Sequence, residues 1–113
     1  MSRSEACSKA DRIRVLNDNF RSTFIGGRVL TTASVAELPI DTKARLFLAV
    51  QSFNGFSTEN DPHGEHDFGA IELDGEQFFW KIDYYAPDLR MGAEYPEDPE
   101  TARVMTIMRA GEY

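Results

Sequence analysis

Apolar positions in the first quarter of the chain recur at helical intervals. Ile13, Leu16, Phe20 and Phe24 step by three and four, which predicts one helix over residues 4–24, with Asp11, Arg14, Asp18 and Arg21 largely off its apolar stripe. Gly26-Gly27 closes it, and the β-branched run over 28–32 predicts a short strand. Ser34 then caps a helical turn that reaches Leu38 and stops at Pro39. Asp41 caps a second helix over 42–53, where Leu46, Phe47, Leu48 and Val50 spread apolar surface widely enough to predict burial on two sides. The same run reads alternatively as a strand over 45–50; the cap and the length favour the helix.

The pattern changes period after residue 67. Asp74-Gly75 between apolar runs is a two-residue hairpin signal, suited to a type I′ turn in which both central residues take φ > 0. Counting outward from a tight turn sets Leu73 opposite Glu76, Ile71 opposite Phe78, Gly69 opposite Trp80 and Asp67 opposite Ile82. One face then carries Ile71, Leu73, Phe78, Trp80, Ile82 and Tyr84 and is the predicted core face, with the indole lying over the bare Gly69 backbone. The other face pairs Glu72 with Gln77, Ala70 with Phe79, Phe68 with Lys81 and His66 with Asp83. Residues 85–99, with Pro87, Pro96 and Pro99 among acids, predict an extended acidic connector. Asp98-Pro99-Glu100 opens a last predicted helix, with Asp98 as its cap and Val104, Ile107 and Met108 as its apolar face, ending at Gly111. The expected fold is α+β: a small antiparallel sheet built on the hairpin over about 68–84, with residues 28–32 added and helices from both ends packed on it.

Composition narrows the class. A chain of 113 residues supports one domain, here residues 1–113, and buries about two-thirds of its unfolded surface. A net charge of −7 argues against direct nucleic-acid binding, which needs cations to neutralise phosphate, and makes a basic protein surface the complementary partner. The single cysteine, Cys7, forms no internal disulfide, fits a reducing compartment and carries no catalytic motif. No apolar signal-peptide core opens the chain, and the longest aliphatic run, residues 46–50, is too short to cross a membrane. A cytoplasmic location is expected.

Candidate chemistry gathers around residues 60–85. His66 opposite Asp83 would give an imidazole oriented by a carboxylate, with Lys81 two residues away on the same face as an electrostatic stabiliser. That makes His66, Asp83 and Lys81 the candidate catalytic set. Asp61, His63, Glu65 and His66 crowd the preceding loop and offer the two-histidine, one-carboxylate ligand set of many zinc and non-haem iron sites, so a divalent metal is the one cofactor to consider. The spacing is not that of a helical zinc motif and no cysteine lies nearby. The same residues fit a loop tied down by local hydrogen bonds.

The run NDPHGEHDFG, followed by FFWKIDYY and preceded by GGRVLTT with a later Leu-Pro, resembles the uncharacterised bacterial family of domain of unknown function 3768, from about Asp11 to the end of the chain. The family brings no reaction and no assigned residues. The resemblance implies a small protein of plasmids, prophages and other mobile elements, and hence a counter-defence role such as an anti-CRISPR or anti-restriction inhibitor. Two functions follow. One is a non-enzymatic binder of a basic defence-system subunit, acting through Tyr85, Asp88, Glu94, Tyr95, Glu97 and Asp98. The other is a small metal-dependent or general-base hydrolase using the residue 61–67 cluster. A third, blander reading is an oligomerisation module whose Phe68 and Phe79 pair across a dimer or lie under a final helix.

Overall fold

The computed structural model describes residues 8–88 and 92–113, so Cys7 and the predicted first turn over residues 4–7 lie outside the described residues. Helix α1 (Lys9–Thr23) starts at Ser8, whose hydroxyl accepts from the Asp11 backbone while the Asp11 carboxylate accepts from the Ser8 backbone. Its buried face is Ile13, Asn17, Phe20 and Arg21. Leu16 is only partly buried, and the stripe is turned so that two polar side chains point inward. Phe24 ends the helix in the left-handed region, at φ 61°, before Gly26-Gly27.

Strand β1 (Arg28–Thr31) and the short helix α2 (Ala33–Ala36) follow, with Thr32 rather than Ser34 at the N-cap position and no side-chain capping bond. Helix α3 (Ile40–Gln51) begins after Pro39, so Asp41 sits inside its first turn instead of capping it. Leu46 and Val50 are fully buried, whereas Ile40 and Leu48 are exposed: α3 buries one face, not two.

The hairpin forms as read. Strand β2 (Phe68–Leu73) pairs antiparallel with β3 (Glu76–Tyr85) in the predicted register, from Leu73 against Glu76 to Phe68 against Lys81. Asp74 and Gly75 both take positive φ, 55° and 79°, as a type I′ turn requires. Trp80 lies over Gly69 so closely that a Cβ there would enter the indole.

The predicted last helix is a strand. β4 (Ala102–Arg109) runs antiparallel to β3 and parallel to β1, giving a mixed sheet in the order β1-β4-β3-β2. Arg103, Met105 and Ile107 alternate toward the helices and are buried, with Met108 behind them. Asp98-Pro99-Glu100 builds a turn instead, in which the Asp98 carboxylate accepts from the Glu100 backbone. The core lies between the helices and one sheet face: Phe20, Val35, Leu46 and Val50 pack with Phe78, Trp80, Ile82, Met105 and Ile107. The fold is therefore α+β with helices on one side. A 3-10 turn (Ala110–Glu112) takes the place of a C-terminal helix on the opposite face.

Candidate functional site

The polar cluster is built on α1. Arg14, Asn17, Asp18 and Arg21 recur at three and four, and all four engage the stretch from Phe53 to Glu65 or His66. Arg14 donates to the Gly64 carbonyl at 3.2 Å, and Asn17 Nδ2 donates to the Glu65 carbonyl at 3.0 Å and to the Tyr84 hydroxyl at 2.8 Å. Tyr84 in turn donates to Glu65 Oε1, and Arg103 Nε donates to Asn17 Oδ1 at 2.8 Å. Asn17 thus joins helix, loop and sheet. Burial pushes the Tyr84 phenol far above its ordinary range and pulls the Arg103 guanidinium below its own.

His66 does not reach Asp83. Its backbone has φ 56°, which breaks the strand just before β2 and turns the ring toward α1. There Nδ1 lies 2.8 Å from Asp18 Oδ1, Nε2 lies 3.6 Å from Asp61 Oδ2, and the ring stacks on Phe56 at 3.6 Å with planes 4° apart. Asp18 also takes Arg21 at 2.8 Å, and the Arg21 guanidinium lies over Phe56 and Trp80. Asp61, buried, accepts from the His66 backbone and from the Gly64 backbone and so closes the loop on itself. Both imidazole nitrogens face carboxylates and one ring face is covered. That arrangement holds the imidazole between Asp18, Asp61 and Phe56 rather than against Asp83.

Asp83 and Lys81 pair with each other at 2.5 Å on the opposite sheet face. Among the described residues no three His, Cys, Asp or Glu groups converge; of Asp61, His63, Glu65 and His66, the structure brings together Asp61 and His66, leaves His63 exposed and turns Glu65 to Tyr84. Asp67 is held above the ordinary carboxyl range, by burial first and by the neighbouring Glu65 second.

The acidic connector is ordered where the structure describes it. Asp98 and Thr101 backbone groups donate to Tyr95 and Asp98 carbonyls, the Thr101 hydroxyl donates to the Tyr95 carbonyl at 2.6 Å, and Arg103 donates to the Pro96 carbonyl. Sequence reasoning missed Arg103, the strut beneath this connector; a lone cation inside an apolar strand was its signal. Glu94, Tyr95, Asp98 and Glu100 line a cleft of about 180 Å³ with Ala86 and Pro87, and Glu97 and Pro99 line a larger one, about 420 Å³, against Asp11, Val15 and Leu16 of α1. Tyr95 is 58% exposed. Glu97 also lies 3.9 Å from Lys9. Of the other expected contact residues, Asp88 is exposed and Tyr85, half-buried, sits on the sheet face away from the helices.

No described helix is long and apolar enough to cross a membrane. No curated protein and no solved structure matches the chain. Residues 31–112 match the family described as protein of unknown function (DUF3768), and by that match over most of its length the chain belongs to this family.

Proposed function

We propose that this protein is a non-enzymatic inhibitor that binds a basic subunit of a host defence system, in the manner of an anti-CRISPR or anti-restriction protein of a mobile element, and acts in the cytoplasm. The observation that carries the reading is the order of the connector over residues 95–101. An acidic stretch that is a solvated linker has no reason to be strutted from the core. Here Arg103, 3% exposed, gives its guanidinium to a connector carbonyl, and Thr101 closes the turn above it. The result presents Glu94, Asp98 and Glu100 around an exposed tyrosine with much of the ordering entropy already spent. Carboxylates flanking an aromatic anchor suit a partner rich in lysine and arginine, because long-range attraction speeds encounter and the ring supplies contact area. The 61–67 cluster, by contrast, spends its groups on the protein's own loop.

The test is capture of purified basic effector subunits of CRISPR and restriction systems across a salt series. Binding should weaken steadily with salt, and the paired reversal Glu94→Lys with Glu100→Lys should cost about tenfold or more in affinity, as should Tyr95→Ala. Retention indifferent to salt and to the reversal would overturn the electrostatic reading.

A further inference from the structure

The sheet face away from the helices carries a second surface. Its strand register places side chains in rows: Leu30, Thr106, Lys81 and Phe68 in one, Arg28, Val104 and Asp83 in the next. The helices put their buried side chains into the core on the other side. Tyr113 covers one corner of this face, its ring meeting Phe68 at 5.7 Å and Phe79 at 5.6 Å. Leu30 stays 50% exposed, and the Lys81 and Asp83 side chains are about a third exposed, at 34% and 39%.

The charge on this face differs from that of the whole chain. The chain carries −7, yet these two rows balance Arg28 and Lys81 against Asp83 alone. The geometry points to this face as a two-fold interface with a second copy of the same chain. A two-fold interface requires a patch complementary to itself. An axis running across the strands, between the two rows, sets Lys81 against the second copy's Asp83 and Asp83 against its Lys81. It sets Thr106 against Val104 in the same way, so the small branched side chains meet at the centre. Strands spaced about 4.8 Å apart make a four-stranded face about 20 Å wide, a footprint at the small end of stable interfaces, so the dimer forms in a concentration-dependent way. This surface is independent of the acidic connector.

The experiment is sedimentation equilibrium of the full chain over a concentration series reaching about 1 mM. The expected mass rises from 12.8 kDa toward twice that value. Lys81→Asp and Asp83→Lys, each alone, should weaken association about tenfold or more, and the double exchange should restore it, because the ring of four charges re-forms with its signs swapped. The same axis sets Leu30 against the second copy's Arg28, so Leu30→Arg, at a half-exposed site that does not threaten folding, brings two cations together and should also give a monomer, with circular dichroism confirming the fold. A monomer at every concentration would overturn the proposal. So would a dimer that all of these variants leave intact, or a double exchange that fails to recover it.

Discussion

Asn17 shows how much a single buried polar residue can organise. It satisfies a loop carbonyl, a phenol and a buried guanidinium at once, and each partner belongs to a different part of the chain. Replacing it with leucine leaves the Arg103 Nε without its acceptor, and an uncompensated buried cation is expensive. Asn17→Leu should therefore lower unfolding free energy in urea by about 3 kcal/mol, although it adds apolar surface. Gly69→Ala should cost about 1–3 kcal/mol for a different reason, since its methyl group has no room beneath the Trp80 ring. Asp67 gives the pH counterpart. Its carboxyl is raised in the folded protein, so its contribution favours the fold below the unfolded carboxyl value and is lost as pH rises through the folded one. Asp67→Asn should be more stable than the parent at neutral pH in urea titrations, and the gap should close on acidification below about pH 4, where the parent's group is protonated in both states.

At the scale of elements, the turn at Asp74-Gly75 is the most local and therefore the most legible feature. Two adjacent residues fix it, and the register of β2 against β3 follows by counting. Gly75→Ala, at φ 79°, should destabilise the protein by about 1 kcal/mol by forcing a Cβ into the left-handed region. A midpoint shift in urea with unchanged slope would show it. His66 was illegible for the opposite reason. The expected strand pairing runs two residues past the start of β2, because the real partners of His66, Asp18 and Asp61, are 48 and 5 residues away and nothing local announces them. The β4 error has the same physics. Val104, Ile107 and Met108 satisfy helical spacing, and the true alternation, Arg103-Met105-Ile107, was hidden because its first inward member is a cation. Asp98-Pro99-Glu100 then supplied a convincing helix start to a segment that tertiary pairing makes a strand. The acidic connector was legible as composition, but its strut and its ordered turn were not, since both depend on contacts made by β4.

At the scale of the whole molecule, β4 is the last strand in the chain and a central one in the sheet. It joins β1 to β3 and contributes Met105 and Ile107, both fully buried, along with the Arg103 that holds helix and connector together. Without it, β1 has no neighbour and the hairpin is a two-stranded ribbon with one exposed edge too many. The ordering entropy of the first hundred or so residues then goes largely unopposed until the final segment docks. A chain ending at Thr101 should therefore show no cooperative urea transition and poorly dispersed amide resonances, although it retains the sequences of α1, α2, α3 and the hairpin. Adding residues 102–113 as a separate peptide should restore a sigmoidal transition, and restoration should fail with Arg103→Leu more severely than with Thr106→Ser. Equal rescue by both peptides would mean that β4 acts through backbone pairing alone, and that the buried cation beneath the acidic connector does not hold the fold together.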